Sequence, residues 1–428
     1  MAKKAKTIII GLDGVPFGMI EGFAETGVMP NTGELIKEGV FRKVFSSIPE
    51  VSSVAWSSMI TGANPGTHGI FGFMDLHPGS YKMRFPNFSD LKAPPFWEQR
   101  EGKSVIINVP STYPVREMNG VIISGFVSID FDKSVYPKSL IPKLKDFDYR
   151  LDVDSQKAHS SMELFLEDLD KTFEARIKAY RYLWDEADWQ TFMLVFTDTD
   201  RLMHFLWDAY EDKNHKYHNH FIEHFRKIDE VIGEISRQLA DEDLLIIHSD
   251  HGFERLDKDV YISYLLAENG FLQFKKDREL SLDNICYGTK AFVLDPARIY
   301  LNVKGRYPCG TVEDAERQEV LGRLEELFVS LEIDGRKVIR DIYRKEQLYS
   351  GPYLESAPDM VLVGAKGFNL RANVKAERPA DKGIFTGKHT QDTAFLIARG
   401  LSDESIIPES PAVMDIKGII DRNYRSIQ

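Results

Sequence analysis

The 428-residue sequence predicts an α/β protein in which helices cover both faces of a mostly parallel central sheet, with a smaller inserted subdomain. Three observations predict it. Short runs rich in Ile, Val and Phe recur along the chain, amphipathic segments separate them, and 43% hydrophobic with 11% aromatic residues suffice for a sizeable core. The runs are Thr7 to Leu12, Ser104 to Val109, Gly120 to Gly125, Thr191 to Phe196, Leu244 to Ile247, Asp359 to Val363 and Ala394 to Ile397, each predicted as a buried strand. Ser161 to Asp185, Phe221 to Ala240 and Val312 to Leu331 place apolar residues three and four apart with charges between them, the helical period. Residues 269–345 differ, with Asp/Lys/Arg-rich strand-like pieces and a helix before Asp341. They read as an insertion or small subdomain, which leaves 1–268 and 346–428 as the core. No internal repeat or long Gly/Ser/Pro linker divides the chain.

Charge and cysteine content narrow the function classes. Lys and Arg number 54 against 66 Asp and Glu, a net charge of −12, which argues against broad attraction to a nucleic-acid backbone or an anionic membrane. Neither a stable nucleic-acid complex nor membrane association is expected, whereas a local cationic site remains compatible. Cys286 and Cys309 make neither a disulfide framework nor a cysteine-based zinc site. One bridge between them is conceivable, but a reducing compartment is the simpler reading. The N-terminal Met-Ala-Lys-Lys-Ala-Lys leads directly into Thr7 to Gly14, a strand ending in a loop rather than a signal peptide. No segment approaches the roughly 20 apolar residues of a membrane span, so a cytoplasmic location is expected.

In open α/β sheets ligands bind beyond the carboxyl ends of the strands, so the polar residues directly after the apolar runs carry the chemistry. Asp13 follows the first run. Asp198, Asp200 and His204 follow Thr191 to Phe196, and His248, Asp250 and His251 follow Leu244 to Ile247. Singly, each has an ordinary explanation as a turn or helix-capping residue. Together they suggest a divalent-ion site: Asp200 and His204, four apart, share one face of a helical turn. Adjacent Asp250 and His251 need the irregular backbone that Gly252 favours. His389 lies on the loop Thr386-Gly-Lys-His before the last run. Six serines lie between Ser46 and Ser58, and composition alone does not choose among Ser52, Ser53, Ser57 and Ser58 as a nucleophile. A helix starting near Ser52 or Ser53 would direct its positive end at a phosphate.

The ordered set Gly11-Leu-Asp13-Gly, Pro49-x-x-Ser52-x-x-Ala-Trp, Thr61-Gly-x-x-Pro-Gly-x-His68-Gly-Ile, Asp200-x-x-x-His204, Ser249-Asp250-His251-Gly252 and Gly387-x-His389 resembles the type I phosphodiesterase/nucleotide pyrophosphatase family of the alkaline phosphatase superfamily. The resemblance spans most of the chain. It implies an alkaline-phosphatase-like sandwich, one metal held by Asp200, His204 and His389, and a second held by Asp13, Asp250 and His251. Ser52 takes the place of the nucleophile, at which it also meets the metal. Two departures stand out. Serine replaces the threonine frequent at that position, which keeps the hydroxyl. Phe73 falls where nucleotide pyrophosphatases usually carry a phosphate-binding asparagine, so Phe73 is the only substrate-binding candidate there and nucleotide-type recognition is in question.

The chemistry implied is a two-metal phosphohydrolase acting through a phosphoseryl intermediate. A serine hydroxyl is a poor nucleophile until a cation stabilises its alkoxide, and a second ion can stabilise the leaving oxygen. Three carboxylates bring −3 to two ions totalling +4, leaving a net positive pocket suited to an anionic phosphate. Zn²⁺ is the first expectation from the mixture of imidazole and carboxylate, with Mn²⁺ or Mg²⁺ as alternatives. The expected partner is a small phosphorylated substrate, a nucleotide among the options. A phosphomonoesterase or phosphomutase on the same scaffold is the alternative activity, and a metal-stabilised binding protein is the alternative outside enzymes. No arginine is clearly placed to neutralise the extra charge of a monoester, and a diester is preferred on the resemblance. His215, His218, His220 and His224 read as a solvated loop and helix start, despite the i, i+4 spacing of the last two. His68 reads as a loop-fixing hydrogen bonder and His248 as a strand-end residue. Phe71, Phe73, Phe85 and Trp97 read as core more readily than as pocket walls.

Overall fold

The computed structural model describes residues 5–427, so the first four residues of the basic N-terminal stretch lie outside the described residues. The chain divides into two compact units. One comprises Met1–Ala63, Asn87–Glu254 and His389–Gln428, the other Asn64–Pro86 and Arg255–Lys388.

The first unit is built on an eight-stranded sheet. Its spatial order is Val40–Val44, Ala394–Arg399, Leu244–His248, Thr7–Leu12, Thr191–Phe196, Ser104–Val109, Gly120–Ser124 and Val135–Tyr136. The five strands from Leu244–His248 to Gly120–Ser124 run parallel, and antiparallel pairings add Ala394–Arg399 and Val40–Val44 on one side and Val135–Tyr136 on the other. Thr7–Leu12, Ser104–Val109 and Thr191–Phe196 are buried at every position, which explains why they read as unbroken apolar runs rather than alternating ones. Helix Met162–Glu186 starts where Ser161 Oγ accepts the Leu164 N–H at 3.3 Å, and it buries Phe165, Leu169, Phe173, Tyr180 and Leu183. Helix His218–Ser236 buries Phe221, Phe225, Ile228, Ile232 and Ile235, a stripe at alternating four- and three-residue steps. Its buried Asp229 accepts the backbone N–H groups of Asn31 and Thr32 at 3.0 and 2.8 Å, supplying acceptors to the first turn of helix Pro30–Glu38.

Strand Val40–Val44 is absent from the sequence expectation because Arg42 and Lys43 are exposed on it. Charge on an edge strand discourages pairing with other chains and also hides the strand from a search for apolar runs. The run at Asp359 to Val363 does form a strand, Met360–Gly364, but in a different sheet. It pairs antiparallel with Arg298–Leu301 and Ile339–Arg344 in the four-stranded sheet of the second unit, whose other edge is Ala291–Leu294. Phe292, Ile299, Leu301, Leu324, Phe328 and Val338 belong to the core of that unit, with Leu324 and Phe328 contributed by helix Arg317–Val329. The second unit therefore extends well beyond the expected 269–345 insertion. Apolar periodicity identifies a buried strand without saying which sheet it joins. Among the described residues no helix is long and apolar enough to cross a membrane, and Cys286 and Cys309 are free thiols.

Ile246 is fully buried between two neighbouring strands whereas Ile129 is 90% exposed. Ile246→Ala is expected to destabilise the first unit by about 2–5 kcal/mol and Ile129→Ala by less than about 0.5 kcal/mol, read as shifts of the thermal unfolding transition.

Candidate metal centre

Three neighbouring parallel strands end at one place in the first unit and release their polar residues there. Asp13 leaves strand Thr7–Leu12 with its N–H donating to Phe196 O at 3.0 Å, and its own carbonyl accepts Thr199 Oγ1 at 2.7 Å. The first strand end is thereby fastened to the second. Asp250 Oδ1 accepts the Gly14 N–H at 3.1 Å, which fastens the third to the first. Gly252 must be glycine, because a Cβ there would collide with the hydroxyls of Thr390 and Thr393. Asp198 and Asp200 stand in the first turn of helix Asp198–Glu211, where acids suit the helix dipole, and His204 lies one turn on.

Three of the four serines that the sequence leaves open as nucleophile have distinct surroundings. Helix Ser52–Thr61 is buried at all positions and begins at Ser52. Ser52 Oγ donates to Asp13 Oδ1 at 3.2 Å and lies 3.1 Å from His251 Nε2. Ser57 Oγ is instead spent on Ser53 O at 2.6 Å, and Ser53 Oγ is buried with no hydrogen-bond partner. Trp56, one turn after Ser52, donates its indole N–H to Asp13 Oδ2 at 3.0 Å. Any side chain larger than hydrogen at Gly11 would strike that indole, so the glycine of the first strand and the tryptophan of the helix fit as a pair.

The six expected ligands converge. His389 Nδ1 donates to Glu50 O at 2.9 Å, so its Nε2 offers a lone pair, 2.9 Å from both Asp200 Oδ1 and His204 Nε2. His204 Nε2 is 3.4 Å from the same Asp200 oxygen. His251 Nδ1 donates to Gly252 O at 3.1 Å, which directs Nε2 to Asp13 Oδ1 and Asp250 Oδ2, both at 3.5 Å. His251 also joins the first group: with Asp200 and His389 its ligand atom lies inside a common 4.8 Å span, and its ring stacks on that of His389 with centroids 3.8 Å apart. These tautomers follow from the hydrogen bonds of the opposite ring nitrogens.

Whether cations fit here is answered by what the donors lack. Asp250 Oδ2 is fully buried without a hydrogen-bond donor. Burial raises Asp13 well above the usual carboxylate range, reinforced by the charges of Asp250 and Asp200. Burial likewise pushes Asp250 up to about 8, against the pull of the Gly14 N–H and with the repulsion of Asp200. His251 is lowered to about 4 by burial and by His389, and burial also lowers His389. Burial opposes ionisation of Asp200 too, but His204 and His389 outweigh it and hold that carboxyl low. Imidazole nitrogens and carboxylate oxygens packed within 2.9–3.5 Å form a donor set that positive charge would complete. Ligand atoms placed around an ion at about 2.0–2.2 Å have comparable separations.

Two arginines beside this cluster, Arg176 and Arg201, went unnoticed in the sequence. Behind Asp200, fully buried Asp198 accepts from Arg176 Nη1 through Oδ1 and pairs with His224 Nε2 through Oδ2 at 2.7 Å. His224 is thus a buried partner of Asp198, not part of a solvated helix start, because it lies on the inward face beside Phe225. A charged Arg176 on the apolar stripe that includes Phe173 and Tyr180 was the available signal. In front, Arg201 Nη1 donates to Asp200 Oδ2 at 3.0 Å. His248 is fully buried against the Trp56 ring, neither ring nitrogen has a partner, and burial lowers it to about 4. In the second unit, His68 Nδ1 accepts the Ile70 N–H at 3.2 Å, Phe71 is buried, Phe73 is half-buried and Phe85 is 60% exposed. Trp97, in the first unit, is buried.

Comparison with known proteins places this arrangement in context. The fold is similar to phosphonoacetate hydrolase from Sinorhizobium meliloti, solved with phosphonoacetate, at a TM-score of 0.63 and 16% identity over 99% of this chain and 96% of that one. It is also similar to murine ectonucleotide pyrophosphatase/phosphodiesterase 5 solved with AMP, at a TM-score of 0.57 and 13% identity over 99% and 95%. The human counterpart of the latter gives a TM-score of 0.57 and 14% identity over 98% and 95%. No curated protein matches by sequence. At these identities the solved structures establish a shared fold. Residues 7–392 match the type I phosphodiesterase/nucleotide pyrophosphatase family, and the chain belongs to it.

Proposed function

We propose that the chain is a two-metal-dependent phosphohydrolase with Ser52 as its nucleophile, acting on a small phosphoester, a diester by preference. The observation that carries this reading is the position of Ser52 Oγ, at the start of a buried helix and within 3.2 Å of both Asp13 Oδ1 and His251 Nε2. Bound by Asp200, His204 and His389 and by Asp13, Asp250 and His251, a pair of divalent ions, Zn²⁺ first by the mixture of imidazole and carboxylate, supplies the charge that makes the serine oxygen nucleophilic and stabilises the leaving oxygen.

Ser52 is held for attack by the chain itself. Its backbone opens helix Ser52–Thr61, whose positive end favours the incoming phosphoryl group. Trp56 and Asp13 keep that helix and the first strand end in one arrangement. As the Ser52 Oγ–P bond forms, the bond from phosphorus to the ester oxygen breaks and the alcohol departs. Water then attacks the phosphoseryl phosphorus from the vacated side, the Oγ–P bond breaks and the hydroxyl is restored. Phe73 brings no hydrogen-bonding side chain, so this reading assigns no amide contact to that position. The solved relatives hold phosphonoacetate and AMP, which supports a small phosphorylated or phosphonate substrate here. Two free thiols support a reducing, cytoplasmic setting.

Ser52→Ala is expected to lower turnover of bis-p-nitrophenyl phosphate by more than about a thousandfold with two metals per chain retained, while Ser53→Ala stays within about threefold of the parent. Parallel assays on p-nitrophenyl phosphate test the diester preference, and equal turnover by Ser52→Ala and the parent would refute the nucleophile. Asp200→Ala should reduce the metal content measured by elemental analysis from two ions per chain towards one. Removing metal with a chelator should abolish turnover of both esters, and adding Zn²⁺ back should restore it.

A further inference from the structure

Arg201 is held on three sides. Its Nη1 donates to Asp200 Oδ2 at 3.0 Å, while Nε and Nη2 converge on Asp152 Oδ2 at 3.2 and 2.8 Å. The ring of Phe126 lies 4.6 Å from the guanidinium carbon. The planar fork therefore has a carboxylate on one edge, another on its end and an aromatic surface against its face, an arrangement that a lysine ammonium cannot reproduce. The two oxygens of Asp200 have different occupations as a result. Oδ1 faces His389 Nε2 at 2.9 Å and His204 Nε2 at 3.4 Å, whereas Oδ2 is taken by Arg201.

We propose that Arg201 is a positioning residue that keeps Asp200 a single-oxygen ligand and draws charge away from it, so that its cation is held less tightly and stays more electrophilic. The inference rests on the two-ion reading above. A carboxylate shared with a guanidinium offers less negative charge to an ion, and a fixed positive charge one carboxylate away repels that ion directly. Asp152 sets how strongly this acts, because it offsets part of the guanidinium charge as it holds the fork in place. Removing the arginine and removing its counter-charge should therefore shift metal affinity in opposite directions. A purely structural role would weaken binding in both variants.

The test is Zn²⁺ affinity of the purified full chain, measured by competition with a chromogenic chelator, alongside kcat on bis-p-nitrophenyl phosphate. Arg201→Met is expected to bind one of its two Zn²⁺ ions about tenfold more strongly yet turn over about tenfold more slowly. Asp152→Asn should bind Zn²⁺ about threefold more weakly, from the unbalanced guanidinium charge. Arg201→Lys, which keeps the charge and loses the fork, should restore affinity to within about threefold of the parent. Equal or weaker Zn²⁺ binding by Arg201→Met overturns the proposal. Should that variant not fold, unchanged or tighter binding by Asp152→Asn overturns it. A parent chain that binds no Zn²⁺ sinks the two-ion reading and this inference with it, whereas a parent that binds two ions while the variants shift together sinks the inference alone.

Discussion

Crowding of negative charge in a dry volume is the constraint around which this structure is arranged. Asp13, Asp200 and Asp250 are all buried, and the repulsion among them adds to the burial that raises Asp13 and Asp250 above the usual carboxylate range. Such a group persists in a folded chain only where the backbone fixes each member and positive charge is close by. The parallel sheet meets the first condition. Adjacent strands ending at one level are joined by Asp13 N–H to Phe196 O, by Thr199 to Asp13 O and by Gly14 N–H to Asp250.

Helix Asp198–Glu211 shows how this constraint spreads. Its first turn carries two carboxylates with opposite assignments: Asp198 is turned inward to Arg176 and His224, and Asp200 is turned to the imidazoles and Arg201. The inward carboxylate anchors the turn and leaves the outward one facing the cluster of imidazoles. Burying Asp198 alone would be expensive, and the arginine and histidine offset that expense as a hydrogen-bonded set. Helices Met162–Glu186 and His218–Ser236 thus contribute Arg176 and His224, and through Asp198 they bear on the placement of Asp200 two residues on.

Much of this was legible in the sequence because strand ends and apolar runs are local signals. The central parallel strands read as runs because both of their faces are covered, and Asp13, Asp200, His204, Asp250 and His251 follow those runs directly. His389 and Ser52 needed more. His389 lies before its run rather than after it, and Ser52 is distinguished from Ser53 only by which side of the first helical turn faces Asp13. Arg201, Arg176 and His224 were illegible for a different reason. Each looks like an ordinary helical charge until its partner, from 22 to 49 residues away, comes within hydrogen-bonding distance. The membership of Met360–Gly364 in a second sheet was hidden likewise, since pairing is a property of two segments and hydropathy of one.

The orientation of His251 and His389 has a consequence for how the centre tolerates change. Both imidazoles are aimed by main-chain oxygens, of Gly252 and of Glu50, rather than by side chains. Replacing Glu50 with any other amino acid leaves its peptide oxygen in place, so a systematic substitution survey would register nothing of the support it provides. The orientation of the His389 ring is therefore carried by loop shape rather than by the identity of residue 50, whereas that of His251 is tied to a position where only glycine fits.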